Sequence, residues 1–145
     1  MENTPEAHLK RVQRHLKAGR EVLEGMHGGN ITTYDIGDVE PDLEQTTLPP
    51  PLPDDPFYIA TDERDPDALR MIRDAGGVLL SDLLLTEDKQ AFGWPLMLTD
   101  VRGLVEQALL TRSAYFYGPM MSSFAGRVEN LRAARGADMR TAILD

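Results

Sequence analysis

Apolar residues recur at helical spacing from the start of the chain. Leu9, Val12, Leu16, Leu23 and Met26 share one face, and Lys10, Arg11, Arg14, Lys17 and Arg20 cover the other. This pattern predicts one long amphipathic helix ended by Gly28-Gly29. A different pattern begins at Phe57. Phe57-Tyr58-Ile59-Ala60 reads as a strand, a helix follows from about Pro66 to Ala75, and Gly76-Gly77 stops it before a second strand at Val78-Leu79-Leu80. Residues 83–99 show no period and read as irregular. Val101, Leu104, Val105, Ala108 and Leu109 then predict a helix capped by Thr99 or Asp100. Ala114-Tyr115-Phe116-Tyr117 reads as a third strand. After Ser122-Ser123 comes a helix with Phe124, Val128 and Leu131 inward and Arg127, Arg132 and Arg135 along it. Gly136 ends that helix, and Ala142-Ile143-Leu144 begins a last strand. Strands alternating with helices imply an α/β fold, a Rossmann-like parallel sheet flanked by helices.

Charge and proline change the picture between these regions. From Asp35 to Asp67 there are eleven acids and one base, Arg64, so this window carries more negative charge than the whole chain's −9. Six of the ten prolines fall between Pro41 and Pro56. Such a stretch buries too little to offset its ordering entropy and is expected to be a mobile loop. The expected division is therefore residues 1–34 as helix and turn, 35–56 as acidic loop, and 57–145 as the α/β domain.

The 145 residues suffice for a core without cross-links, and the absence of cysteine excludes a disulfide scaffold, a Cys-bound zinc and a thiol nucleophile. The acidic balance argues against nucleic acid and against an anionic membrane surface. No apolar run reaches a membrane span's length, and no signal peptide or other address is readable, which leaves the cytoplasm as the default.

Ligands of open parallel sheets bind beyond the carboxyl ends of the strands. Two segments meet that description: Ala60–Glu63 and Gly118–Phe124. In the second, a helix N-terminus and the hydroxyls of Ser122 and Ser123 offer donors to a phosphate, although Ser122 could equally serve as the helix cap. Neither a GxGxxG nor a P-loop pattern is present, so dinucleotide cofactors and P-loop nucleotides are not supported. The carboxylates at Asp62, Glu63 and Asp65 are read as turn formers rather than metal ligands, so no metal is assigned. His8, His15 and His27 have no matching ligand elsewhere, and no serine has a downstream histidine.

Three blocks together resemble a known family. Phe57-Tyr58-Ile59-Ala60-Thr61-Asp62-Glu63, Asp100-Val101-Arg102-Gly103-Leu104-Val105-Glu106 and Phe116-Tyr117-Gly118-Pro119-Met120-Met121-Ser122-Ser123-Phe124, with Arg127 and Arg132 after it, are similar in order and spacing to segments of the GDP-fucose protein O-fucosyltransferases. The resemblance covers about residues 57–135. It implies the C-terminal, nucleotide-sugar-binding half of a GT-B fold and transfer of fucose from GDP-fucose to an acceptor hydroxyl, with no further cofactor. It also implies that Ser122, Ser123 and Phe124 hold the GDP phosphates, with Asp62 and Glu106 near the guanosine end. Three departures accompany it. The family's leaving-group arginine motif is echoed only by His8-Leu9-Lys10-Arg11 within a helix, Glu106 stands for Asp, and Ala125 for a small hydroxyl residue. The catalytic residues are therefore unassigned, and the acceptor is not indicated. The alternatives are a truncated, non-catalytic nucleotide-binding module, and an interaction protein built on the basic first helix and the acidic loop.

Overall fold

A computed structural model describes residues 4–145 and shows a mixed α/β chain. Its elements are α1 (Pro5–Met26), α2 (Glu44–Thr47), β1 (Phe57–Tyr58), α3 (Pro66–Asp74), β2 (Gly77–Val78), α4 (Leu80–Leu83), α5 (Thr86–Phe92), a 3-10 turn (Trp94–Met97), α6 (Thr99–Arg112), β3 (Phe116–Gly118), α7 (Ser123–Ala134), a second 3-10 turn (Met139–Thr141) and β4 (Ala142–Leu144). The strands do not join one sheet. β1 pairs with β2 and β3 with β4, each pair parallel, in two separate two-stranded sheets. What the alternation of strands and helices predicted locally is thus present twice, as β1-α3-β2 and β3-α7-β4, on strands of only two or three residues.

The chain forms two units, Met1–Pro53 with Leu109–Asp145, and Asp54–Ala108. The division falls after Pro53 in the acidic stretch and after Ala108 inside α6. In the first unit α1 packs on β3 and on the second 3-10 turn. Phe116, Ala125 and Val128 form a buried cluster, with Leu110, Phe124, Ala142 and Leu144 against it. Gly118 lets α7 approach β3, because a Cβ there would come within 2.6 Å of the Ala125 methyl.

The stretch expected to be a mobile loop is tied down in this unit. Gly28 N–H donates to the Thr46 carbonyl (2.9 Å), and Asp42 N–H to the Gly136 carbonyl (2.9 Å). The Gln45 side chain accepts from Asp138 N–H (2.6 Å) and donates to the Thr141 hydroxyl (3.2 Å). Thr46 is buried. Charge and proline content cannot register such bonds, since polar side chains and backbone, not apolar area, hold the segment. Gly136 is required twice here: its φ of +78° suits glycine, and a Cβ would run into the Glu40 carbonyl.

Inside α7, Val128 is buried and Phe124 half-buried as expected, but Leu131 is exposed. Arg132 takes the inward place, with no accessible surface. Its Nη1 donates to the carbonyls of Leu110 (3.2 Å) and Ser113 (2.6 Å), and its Nη2 to the Thr141 carbonyl (3.2 Å) and hydroxyl (2.9 Å). The guanidinium therefore closes the last turn of α6, where carbonyls lack intrahelical partners, and pins the start of β4 to it.

In the second unit Ala68, Leu79, Leu80 and Gln107 are buried. Residues 83–99, expected to be irregular, are largely helical. The Asp82 carboxylate accepts Leu79 N–H (3.0 Å) and that of Asp88 accepts Leu85 N–H (2.9 Å), so each acid closes the start of a short helix. These helices carried no periodic signal because they bury little; α5 has no buried residue. Leu80, expected in the second strand, begins α4 instead, since a short apolar run fits either state. α6 starts at Thr99, with Arg102 N–H bonded to the Leu98 carbonyl (3.1 Å), so Leu98 stands where Thr99 or Asp100 was expected. No helix among the described residues is long and apolar enough to cross a membrane.

Candidate functional site

Parallel pairing of β3 and β4 places Gly118 beside Leu144, and the chain segments that follow meet there. Asp145 N–H donates to the Gly118 carbonyl (3.1 Å), and Met120 N–H to the Asp145 carbonyl (3.3 Å). Pro119 then accepts from Ser122 N–H (3.0 Å), turning the chain into α7. The Ser122 hydroxyl accepts from Ala125 N–H (3.2 Å), so it is the helix cap. Ser123 is exposed, and neither its N–H nor that of Phe124 meets an acceptor among the described residues. The Phe124 ring packs on the core, which fixes the first turn. This carboxyl edge of β3 therefore presents two open backbone donors, one exposed hydroxyl and the positive end of a 12-residue helix.

The same edge holds a constellation that sequence patterns did not reveal. His15 of α1 stacks on Tyr117 (ring centroids 4.1 Å apart), and its Nε2 lies 2.9 Å from Asp145 Oδ2. The side chain of His15 is 11% exposed, and Arg14 Nη2 lies 4.0 Å from the same Asp145 oxygen. His15 has a partner after all, but 130 positions away, beyond the reach of any local signal.

Asp62 and Glu106 belong to the second unit. Glu106 is half-buried on α6 and accepts the Tyr58 hydroxyl (2.8 Å) from β1. Burial, then that bond and the Glu106 charge, push the Tyr58 phenol well above its usual range. Asp62 is exposed. Its neighbours are engaged in local structure: Glu63 accepts from Arg64 and Asp65 N–H (2.8 and 2.9 Å), Asp65 caps α3, and Asp67 pairs with Arg70 at 3.1 Å. The N–H groups of Asp65 and Arg64 hold the Glu63 carboxyl below the usual carboxylate range. No three His, Asp or Glu side chains among the described residues are grouped as a metal site.

No protein-family model, curated protein or solved structure matches the chain.

The second unit also carries a groove of about 480 Å³ that no motif announced, walled by Leu84, Trp94, Leu96 and Met97 with Lys89 and Arg102. Its signal in the sequence was composition alone, the Gly93-Trp94-Pro95 break within an apolar segment.

Proposed function

We propose that the chain binds the diphosphate of a nucleotide sugar, GDP-fucose, as the Rossmann-like, nucleotide-binding part of an O-fucosyltransferase-like GT-B protein. One observation carries this reading: the N-terminus of α7 faces the carboxyl edge of a parallel strand with the Ser123 and Phe124 donors open. The motif resemblance supplies the identity of the sugar nucleotide. Ser122 is assigned differently from Ser123. Its oxygen is occupied by Ala125 N–H, so Ser122 shapes the turn, while Ser123 and the Phe124 backbone make the contact. Asp62 and Glu106, which the resemblance offers for the guanosine end, belong to the second unit, and the proposal rests on Ser123 and Phe124 alone.

In the transfer that the resemblance implies, the acceptor oxygen bonds to the fucose anomeric carbon. The bond to the β-phosphate oxygen breaks, GDP leaves with that electron pair, and the acceptor proton passes to base or solvent. Donors at the phosphates stabilise the charge that develops on the leaving group. A second reading, a nucleotide-binding module without transferase activity, draws on Arg11, whose place within α1 is unlike that of a leaving-group arginine at a strand end.

Calorimetry with GDP, GDP-fucose and ADP tests both readings. Binding of the guanine nucleotides that Ser123→Ala weakens supports the proposal, and release of GDP from GDP-fucose with an acceptor separates the enzyme from the module. Equal binding of all three removes the GDP-fucose reading and leaves the module, and absent binding of all three removes both.

A further inference from the structure

The second unit exposes apolar side chains beyond what its small core requires. Trp94 is 72% exposed, Met97 85% and Phe92 64%. An isolated exposed leucine is ordinary, but apolar and aromatic side chains gathered around a groove mark a contact surface. Lys89 and Arg102 stand in the groove wall, and neither makes an ion pair within 4.0 Å among the described residues. The surface is thus aromatic, apolar and cationic. With Trp94 and Met97 so open, a small ligand would stay largely wet, whereas small-molecule sites cover roughly 70–90% of their ligand. A length of polypeptide laid along the groove fits better.

The chain contains a segment of complementary chemistry, Leu48-Pro49-Pro50-Pro51-Leu52-Pro53-Asp54-Asp55. Leu48 is 59% exposed and Leu52 67%. Leu48 has φ −73° and ψ 144°, the polyproline II conformation, and the prolines after it hold φ in the same region. Proline-rich segments of this kind dock on aromatic-lined grooves because they lose little conformational freedom on binding, and an indole N–H can donate to their solvated carbonyls. Asp54 and Asp55 follow the apolar part, opposite in sign to Lys89 and Arg102.

We infer that the Trp94 groove receives the Leu48–Asp55 segment of a second copy of this chain, and that the exchange is reciprocal in a two-fold dimer. A self-complementary arrangement fills both grooves and doubles the contact without any further surface. The net charge of −9 opposes the approach of two copies, and the local match of acids to Lys89 and Arg102 sets the register.

Trp94 is the single tryptophan, so intrinsic emission reports on the groove directly. Sedimentation velocity of the full chain over a wide concentration range is paired with emission spectra and with titration of a synthetic peptide of residues 43–55. The expected result is a concentration-dependent dimer whose formation shifts Trp94 emission to shorter wavelength. The peptide should reproduce that shift and dissolve the dimer. Lys89→Glu/Arg102→Glu and Leu48→Ser/Leu52→Ser should each weaken the dimer by about tenfold or more. Adding Asp54→Lys/Asp55→Lys to the first variant should restore it. All these positions are on the surface, and far-UV circular dichroism checks that each variant is folded. A monomer at every concentration with no response to the peptide overturns the inference. So does a concentration-independent emission shift, which places the segment in its own chain's groove, and so does a dimer that survives both double variants.

Discussion

In β3-α7-β4 the crossing helix sends a guanidinium into the interior, whereas in β1-α3-β2 the buried residue of the crossing helix is Ala68. The two units share a plan and differ in what holds it. The first joins an apolar cluster to a polar network of Arg132, Asp138, Thr141 and Gln45, which reaches the end of α6, the start of β4 and the acidic stretch. Hydrogen bonds of fixed direction tie distant segments in one register, which a few buried methyl groups could not specify alone. The second unit buries Leu79 and Leu80 and leaves Leu83, Leu85, Phe92 and Trp94 outside. A unit with a thin core keeps its apolar side chains available as surface.

The contrast between the units is largest at one arginine of each crossing helix, Arg132 inward in α7 and Arg73 partly exposed in α3. Arg132→Met keeps the volume but removes every donor, leaving the carbonyls of Leu110, Ser113 and Thr141 without this partner. Burial draws the Arg132 guanidinium down to about 10, and the opposing pull of Tyr34 and Asp42 does not restore it. The expected loss is about 3 kcal/mol or more. Lysine should not rescue it, since a planar fork is needed to reach both α6 and β4. Arg73→Met in α3 removes a pair with Asp82 whose side chains are 44% and 34% exposed, and should cost less than about 1 kcal/mol. Urea unfolding followed by circular dichroism measures both. Equal costs would erase the distinction between the units.

A second test uses acid. Asp138 has no accessible surface, and burial pushes its carboxyl up. The Arg140 guanidinium (2.7 Å) and the N–H groups of Thr32 (2.7 Å) and Arg140 (2.8 Å) outweigh burial and hold it below the usual range. A carboxyl lowered in the folded state adds stability that is present above its unfolded value, about 4, and is lost as pH falls through the lowered folded value. Asp138→Asn should therefore cost about 2 kcal/mol at pH 7 and flatten the acid limb of the urea midpoint against pH. Asp82, lowered by Arg73 and by Leu79 N–H but partly exposed, should leave that limb almost unchanged when replaced by Asn.

Local chemistry was legible at some of the boundaries that one residue decides. Gly136 after α7, Pro66 at the start of α3 and the long face of α1 all stand where periodicity and turn chemistry put them. Residue pairs far apart were not legible. His15 with Asp145, Gln45 with Asp138, and Arg132 with the carbonyls of α6 leave no periodic trace, because a polar residue turned inward looks like one turned outward until its partner is known. For the same reason an acidic, proline-rich stretch read as mobile, and two short parallel pairs read as one sheet: strand order is a long-range property that alternation does not encode. At the candidate site, Ser122 as the cap of α7 was legible, and the pairing of His15 with Asp145 beside it was not.

The two serines at the start of α7 give the smallest effect and the sharpest test. Both crossing helices begin with a capping side chain, Ser122 on Ala125 N–H (3.2 Å) and Asp65 on Asp67 N–H (3.2 Å). Replacing either with alanine should cost about 1 kcal/mol. Ser123 is exposed and caps nothing, so Ser123→Ala should leave the urea midpoint where it is. Nucleotide affinity should order the two serines the other way. If the Ser123 hydroxyl and the Ser123 and Phe124 N–H groups meet the diphosphate, Ser123→Ala loses a charge-assisted bond and weakens GDP about tenfold, while Ser122→Ala acts only through the looser turn. A Ser122→Ala variant that loses GDP and keeps its stability would reverse the assignment. It would mean that Ser122 exchanges its cap for the phosphate when the nucleotide arrives.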